Sequence, residues 1–295
     1  MCGIVGYFDK SGREDAPLGA TIRNMLESLA CRGPDSAGVA LFGEPTPGQL
    51  HAQIKVAGHA GQITALAERF GASDLTQRGA YLRCAIRDSN EWRALLASVE
   101  AVDRDVEVVS IGRRLEIVKQ VGSPANLDAA FSISDFLGSH GLGHTRLSTE
   151  SIVDLSHSQP FWSHGYPDLA IVHNGHITNY HQLRRRYEQR AVRFYTENDS
   201  EIIAIYLAKQ LSQGADLHKA LSGMLTDLDG SFSCLAATES EFGFVKDPFS
   251  FKPLVFAESN GFVAVATEEI AIRGALPGEY DVREAQAGEV RVWRR

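Results

Sequence analysis

A cysteine occupies the second position of the chain, directly before an apolar segment that is typical of a buried strand. The segment, residues 4–8, reads Ile-Val-Gly-Tyr-Phe and would place Cys2 at the end of that strand. If the initiator methionine is removed, Cys2 carries both a thiol and a free α-amino group. The thiol has a reference pKa of about 8.5 and the amine one of about 8, so a desolvated amine can accept the thiol proton. Because free cysteine is also commonly buried as a small hydrophobic side chain, position alone leaves both interpretations open.

The composition is that of a globular chain able to form one large domain or two smaller ones. Over 295 residues it is 44% hydrophobic and 22% charged. The formal net charge is -8, and the tightest basic run is Arg184, Arg185 and Arg186. This balance argues against a nucleic-acid groove or a surface for anionic membranes. The basic run is typical of a solvated helix face, and a partner-docking patch is the alternative.

Four cysteines, at positions 2, 31, 84 and 234, lie far apart and form no C-x-x-C pair. The spacing predicts neither a zinc site nor a disulfide framework, and it fits a reducing compartment. The sequence shows no signal peptide and no apolar stretch near the roughly 18 residues of a membrane span. We therefore expect a cytoplasmic protein that binds neither membrane nor nucleic acid.

The first half of the chain divides at a linker over residues 43–48, which holds two prolines and two glycines. Before it, apolar spacing predicts a helix over 18–29, and a strand over 37–42 follows. After it, helices near 63–70 and 92–99 alternate with strands at 81–86, 106–111 and 115–118. The alternation predicts a small α/β subdomain, residues 44–139, inserted between elements of the main fold.

The second half contains shorter strands joined by polar loops. Strands are predicted at 141–147, 169–173, 231–237, 242–246, 254–257 and 262–266. Helices are predicted at 178–189, 201–211 and 217–225. Ser200 is the expected N-cap of the helix that begins at Glu201.

Four polar clusters could carry chemistry: 32–38, 141–146, 173–176 and 196–201. Taken singly, the first is a tight turn and the last a capped helix start. The second lacks the third glycine and the following helix of a phosphate loop. In the third, Asn174-Gly175 is either a plain turn or a pair of donors for an oxyanion. His173 and His176 without a nearby carboxylate are weak evidence for a metal.

Together, the clusters resemble a known family. The segments CGIVGYF at 2–8, CRGPDSAG at 31–38, GHTRLST at 143–149, VHNGHITN at 172–179 and NDSE at 198–201 are similar, in this order, to the class II glutamine amidotransferases, which are N-terminal-nucleophile hydrolases. KDPFSFKPL at 246–254 and ATEE at 266–269 resemble the closing strands of that family. The resemblance implies an α+β fold, a four-layer α-β-β-α sandwich over 1–295 with the 44–139 subdomain inserted in it.

The resemblance also implies roles for individual residues. Cys2 would attack the side-chain amide of glutamine to form a glutamyl thioester, with its own α-amino group as the proton shuttle. Asn174 and Gly175 would form the oxyanion hole, through a side-chain amide and a backbone N–H. Arg146 would bind the α-carboxylate and Asp199 the α-ammonium of L-glutamine. Arg32 and Thr149 complete the predicted substrate-binding set, Arg32 by fixing the N-terminal segment; no metal or cofactor is expected on this chain.

The finer wording of the motifs, including GLGHTRLSTES at 141–151, HSQPFW at 157–162 and TENDSE at 196–201, resembles the small amidotransferase subunits of glutamate-synthase-type assemblies such as N-methylglutamate synthase. These assemblies add a flavin-binding synthase subunit, in which an iron–sulfur cluster is also possible, and a glycine-rich β-helix subunit. The alternatives are an amidotransferase for amino-sugar, purine or asparagine synthesis, a non-catalytic assembly or glutamine-sensing subunit, and a self-processing peptidase.

Overall fold

The computed structural model describes residues 2–148 and 153–295. In chain order, the strands of these residues are β1 (Gly3–Asp9), β2 (Ser36–Phe42), β3 (Gln49–Lys55), β4 (Ser73–Arg78), β5 (Tyr81–Arg87), β6 (Glu107–Gly112), β7 (Leu115–Val121), β8 (His140–Arg146), β9 (Phe161–Trp162), β10 (Ala170–Ile177), β11 (Gly230–Ala237), β12 (Glu241–Lys246), β13 (Val255–Glu258), β14 (Phe262–Ala266), β15 (Val282–Glu284) and β16 (Val290–Arg294). The α-helices are α1 (Leu18–Ser28), α2 (Ala60–Arg69), α3 (Trp92–Glu100), α4 (Pro124–Phe131), α5 (Tyr180–Glu188), α6 (Asp199–Ser212), α7 (Leu217–Asp227) and α8 (Glu269–Ala275). Within these ranges, no helix is both long enough and apolar enough to cross a bilayer.

Two antiparallel sheets form the centre of the fold. The seven-stranded sheet has the order β15-β13-β14-β1-β8-β2-β7, and the five-stranded sheet has the order β16-β12-β11-β10-β9. In the first sheet, Gly3 of β1 is registered with Thr145 of β8, and Val5 with Ala266 of β14. All seven residues of β1 are buried, as expected of a strand with a covered surface on both faces. The strand that follows Cys2 is therefore at the middle of the molecule.

Helices cover the outer face of each sheet. The apolar residues of α1 recur at helical spacing and pack on β1 and β8, with α8 beside them. Helices α6 and α7 bury their apolar sides against the five-stranded sheet. The inner faces of the two sheets meet closely, since a Cβ added to Gly6 of β1 would lie 2.6 Å from the ring of Phe242 in β12. The result is the predicted α+β architecture with α-β-β-α layers.

The predicted insertion contains a separate four-stranded sheet, in the order β4-β5-β3-β6, together with α2 and α3. This sheet ends at Gly112. The strand predicted at 115–118 to complete the subdomain is instead part of β7, which pairs with β2 along its whole length in the seven-stranded sheet. Its alternating apolar residues, such as Leu115 and Ile117, fit either sheet, and pairing with β2 is what decides the assignment. As a division into domains, 44–139 stays a prediction.

The N-terminus of α6 differs from the prediction. The helix begins at Asp199, and the N-cap is Asn198 rather than Ser200. Asn198 has extended backbone angles, and its side-chain oxygen accepts a hydrogen bond from Ser200 N at 2.9 Å. Asparagine is as good an N-cap as serine, so the helix begins two residues earlier than predicted and includes Asp199.

Candidate active site

The candidate site lies at one end of the sandwich, where β1 begins and β8 ends. Cys2 immediately precedes β1, and Arg146 is the last residue of β8. Because Gly6 faces the five-stranded sheet, the alternation of side chains along β1 places Cys2 on that same side. Arg146 is buried. Strand register and alternation therefore place Cys2 and Arg146 at the same end of the seven-stranded sheet, on the face that packs against the five-stranded sheet.

Several hydrogen bonds fix the position of Cys2. Its Sγ donates to Leu147 O at 3.7 Å. Its carbonyl oxygen accepts from Asn174 Nδ2 at 3.2 Å and from Arg32 Nε at 3.5 Å. Arg32 in turn forms an ion pair with Glu268, the residue before α8. Two residues predicted for the site thus converge on the backbone of the predicted nucleophile.

Gly175 follows Asn174 in β10 and occupies a position that only glycine fits. Its φ is +146°, and a Cβ there would lie 2.1 Å from Ser231 O and 2.7 Å from Phe232 Cα, both backbone atoms of β11. The side-chain amide of Asn174 has two N–H donors, so one remains for a ligand beside the bond to Cys2. A side-chain amide and a neighbouring backbone N–H are the donors that an oxyanion hole requires.

Asp199 reaches the same strand from the N-terminus of α6. Its Oδ2 accepts the Ile177 N–H at 2.9 Å, and its Oδ1 lies 3.7 Å from His173 Nδ1. The first turn of a helix favours a carboxylate because of the helix dipole. Asp199 is partly exposed and keeps further acceptor sites for a cation. The structure thus connects Asp199 to β10 at Ile177, beyond Asn174 and Gly175.

His173 and His176, whose spacing was weak evidence for a metal site, lie on opposite faces of β10. His173 is buried and His176 is exposed, because positions three apart in a strand point to opposite faces. His173 Nδ1 contacts Ser200 Oγ at 2.9 Å, and burial lowers the pKa of His173. Within the two described ranges, no three His, Cys, Asp or Glu side chains come together as a metal would need.

Gln159 is a residue of the site that sequence reasoning missed. Its side-chain Oε1 accepts the His173 N–H at 2.6 Å, and its Nε2 donates to His173 O at 2.9 Å. Strand β9 is only two residues long, and its pairing with β10 stops at Ile171. The Gln159 side chain takes the place of a strand partner beyond that point, at the residue before Asn174. The backbone of Gln159 rests on Gly38, where a Cβ would lie 2.2 Å from the Gln159 carbonyl oxygen. In the sequence, its place in the segment HSQPFW was the one feature that connected Gln159 with the site.

A second missed residue, Asp35, holds the end of β8. Its backbone N–H donates to Arg146 O at 3.0 Å, and its Oδ2 accepts the Ser148 N–H at 2.7 Å. Two residues before Arg146 in β8, His144 is buried. Burial lowers the pKa of His144 to about 3, and the charge of Arg146 is a smaller cause. His144 is therefore neutral at physiological pH. Thr149, predicted to bind substrate, and Met1 lie outside the described residues.

Two cavities lie away from these residues. One, of about 390 Å³, is lined by residues of α5 and α6 and by Trp162. The other, of about 460 Å³, lies between the four-stranded and seven-stranded sheets. Neither lining includes Cys2, Arg146 or Asn174, so the candidate site is distinct from both.

Known proteins resemble this chain in sequence and in fold. A family model described as the glutamine amidotransferase domain matches residues 144–274. The glutamine amidotransferase-like protein GlxB of Rhizobium meliloti is 38% identical over 280 residues, which cover 92% of this chain and 91% of that protein. An amidophosphoribosyltransferase of Methanothermobacter thermautotrophicus is 31% identical over 179 residues, 60% of this chain and 36% of that protein.

The same fold occurs in a solved structure. The glutamine phosphoribosylpyrophosphate amidotransferase of B. subtilis, complexed with ADP and GMP, matches 99% of this chain with a TM-score of 0.64 and 22% identity. This chain spans about half of that enzyme, 47% of its length. The fold is thus the N-terminal-nucleophile hydrolase sandwich, and the chain belongs to the class II glutamine amidotransferases.

Proposed function

We propose that the chain hydrolyses the side-chain amide of L-glutamine with Cys2 as the nucleophile. Cys2 Sγ attacks the amide carbon, and the resulting oxyanion is bound by Asn174 Nδ2 and the Gly175 N–H. The α-amino group of Cys2 accepts the thiol proton and passes it to the leaving nitrogen, so ammonia departs and a glutamyl thioester remains. Water then cleaves the thioester to release glutamate. The observation that carries this proposal is the contact of Asn174 with Cys2, next to the position that only glycine fits.

The charges of the site match the two charges of a free amino acid. The buried guanidinium of Arg146 would bind the α-carboxylate, for which its planar fork is suited. Asp199, on the far side of Asn174 along β10, would accept the α-ammonium group. Arg32 holds the Cys2 backbone, and Thr149 completes the proposed set. A glutamine lying between Arg146 and Asp199 would present its side chain to Cys2.

The ammonia would be delivered to a partner synthase subunit. Ammonia released into water at neutral pH is protonated and loses its nucleophilicity, so direct transfer is the chemical expectation. The longer B. subtilis enzyme carries this fold on about half of its chain, which supports an acceptor outside the fold. The proposed assembly is of the glutamate-synthase type, such as N-methylglutamate synthase, in the cytoplasm. It has a flavin-binding subunit, with an iron–sulfur cluster possible there, and a glycine-rich β-helix subunit.

Two measurements test the two parts of the proposal separately. The purified chain without Met1 should release glutamate and ammonia from glutamine in equal amounts, and the Cys2→Ala variant should release neither. Activity that survives this substitution would exclude Cys2 as the nucleophile. Purification from the native host should yield a flavoprotein bound to the chain, and a stable monomer without partners would contradict the assembly.

A further inference from the structure

A cavity of about 390 Å³ lies beside helix α6, and its lining includes neither Cys2 nor Asn174. Pockets that bind small molecules have volumes of about 300–1,000 Å³ and are lined mainly by apolar and aromatic side chains with a few polar groups. This cavity has that size and that character. Its lining includes five aromatic side chains: Trp162, His164, Tyr166, Tyr187 and Tyr195. The size and the lining therefore suit a small molecule with a planar ring.

One wall of the cavity is a stack of side chains held in place by Glu100, the last residue of α3. The rings of His164 and Tyr195 stack with centroids 3.9 Å apart at an angle of 16°. The guanidinium carbon of Arg193 lies 4.6 Å from the centre of the Tyr195 ring. Buried Glu100 contacts all three side chains. Tyr195 donates its hydroxyl proton to the Glu100 carboxylate, from which His164 Nδ1 lies 3.4 Å and Arg193 Nη1 3.7 Å. The wall is therefore preformed.

Ser163 borders the cavity and is 1% exposed. Among the residues that the structure describes, none forms a hydrogen bond with the Ser163 hydroxyl. The large majority of buried polar side-chain atoms have a partner in the protein or in an ordered molecule. The turn that carries Ser163 is fixed, because its carbonyl accepts the Tyr166 N–H at 3.1 Å and the Trp162 indole donates to Tyr166 O at 2.9 Å. A ligand in the cavity would supply the partner of this hydroxyl.

The charged side chains around the cavity favour a monoanion. Three cations, Arg190, Arg193 and Lys209, belong to the lining, together with one carboxylate, that of Glu201. A second carboxylate, that of Glu100, lies behind the wall as the ion-pair partner of Arg193. The cations therefore exceed the carboxylates by one charge. One carboxylate on a ligand balances this excess, whereas a doubly charged phosphate exceeds it.

Hydrogen bonds lead from the cavity to the candidate active site. Glu201 accepts the backbone N–H groups of Tyr195 at 2.8 Å and Thr196 at 2.9 Å. The Thr196 hydroxyl accepts the Asn198 N–H at 3.1 Å. Asn198 is the N-cap of α6, and the next residue is Asp199, the proposed partner of the α-ammonium group of glutamine. A ligand that contacts Tyr195 and Glu201 therefore acts on the segment that positions Asp199.

We propose that this cavity binds a heteroaromatic monocarboxylate and that its occupancy changes the affinity of the active site for glutamine. The second half of the proposal rests on the proposed function. Arg190 is exposed and Lys209 partly exposed, so the ligand carboxylate lies with them at the mouth of the cavity. Ser163 is buried, so its hydroxyl pairs with a polar ring atom at the inner end.

Isothermal titration calorimetry of the full chain with indole-3-acetate as the probe tests the carboxylate contacts. We expect one site per chain, and we expect indole-3-acetamide, which has the same shape without the charge, to bind at least about tenfold more weakly. Arg190→Gln should weaken binding of the acetate at least about threefold and leave binding of the acetamide unchanged. Arg186→Gln is the matched control, because Arg186 lies in the same basic segment but outside the lining.

A second probe, 1-naphthaleneacetate, isolates the contact of Ser163. It carries the carboxylate on a ring system that lacks the indole N–H. Ser163→Ala should weaken binding of indole-3-acetate by about threefold to tenfold and leave binding of 1-naphthaleneacetate unchanged. Thermal unfolding shows that each variant is folded. Absence of binding by indole-3-acetate, or binding that Arg190→Gln and Ser163→Ala both leave unchanged, overturns the site.

Glutaminase assays of the chain without Met1 test the coupling. Saturating indole-3-acetate should change the KM for glutamine by at least about fivefold, with a smaller change in kcat. Binding of the probe with an unchanged KM overturns the coupling. Labelling with 6-diazo-5-oxo-norleucine, an electrophilic glutamine analogue, separates these outcomes from a failure of the proposed function. A wild-type chain that binds the probe but does not label overturns the proposed function and with it the coupling, and it supports the binding site.

Discussion

Substitution of Gly175 by alanine gives the sharpest test of the oxyanion hole. The added Cβ would lie 2.1 Å from Ser231 O and 2.7 Å from Phe232 Cα, and neither backbone atom can rotate away. To restore an ordinary contact, β10 and β11 must separate locally by about 1 Å, at the point where the Gly175 N–H is expected to face the oxyanion. The positive φ of +146° adds about 1–3 kcal/mol of strain for a residue with a side chain.

The expected effect is on the chemical step rather than on glutamine binding. Loss of one oxyanion donor lowers kcat by about 100-fold to 1,000-fold, and KM changes little because the donor acts mainly in the transition state. Steady-state glutaminase assays and urea denaturation of the chain without Met1 measure both consequences. Gly61→Ala in α2 is the matched control, since nothing lies within 4 Å of the added Cβ and its φ is ordinary. A Gly175→Ala enzyme with wild-type kcat and stability would refute the assignment.

Three further predictions concern other residues of the structure. Gln159→Leu leaves two buried backbone groups of His173 without partners, so the free energy of unfolding should fall by about 2–5 kcal/mol and kcat by about tenfold. Gln159→Glu restores one of the two hydrogen bonds, so denaturation and kinetic assays should place it between the wild type and Gln159→Leu. Asp199→Asn should raise KM for glutamine by about 10-fold to 100-fold with a smaller change in kcat, because the α-ammonium loses an ionic partner; an unchanged KM would argue against that role. Burial lowers the pKa of Lys119 from 10.5 to about 8, so between these pH values the unfolded chain binds more protons than the folded chain. The stability of the wild type should therefore rise with pH across that window, by up to about 3 kcal/mol relative to Lys119→Met. Urea denaturation at pH 7, 9 and 10 measures this difference.

Local patterns predicted individual helices and strands, whereas the four layers of the fold were predicted from the family resemblance. The apolar periodicity of α1 and the buried run of β1 are properties of short segments. The assignment of β7 failed because its alternation is equally suited to two sheets, and only the pairing with β2, about 80 residues away in the chain, selects one. The segment at 246–254 was predicted from the resemblance to be part of closing strands, whereas β12 ends at Lys246 and a turn follows. Asp247 stabilises that turn by accepting hydrogen bonds from backbone N–H groups, and the strand propensity of the segment does not predict these bonds.

Residues of the candidate site could be named from the sequence where they lie in ordered motifs, and their roles stay predictions. Cys2, Arg32, Arg146, Asn174 and Gly175 lie in motifs whose order along the chain is informative, and the structure brings them to one end of the cleft. Gln159 could not be assigned a role, because its function is to replace a missing strand partner of β10, which depends on where β9 ends. The exposure of Phe249 and Phe251 was likewise beyond reach, since it is set by the turn after β12 and not by their hydrophobicity.

The most direct test of the central claim is mass spectrometry of the chain after treatment with 6-diazo-5-oxo-norleucine. If Cys2 is the nucleophile of a glutamine-specific site, the chain without Met1 should carry a single adduct at Cys2, excess glutamine should protect it, and Cys2→Ala should carry none. The other three cysteines provide an internal control, since Cys84 and Cys234 are buried and Cys31 is exposed. Labelling at Cys31 in place of Cys2, or no labelling once Met1 is removed, would contradict the account.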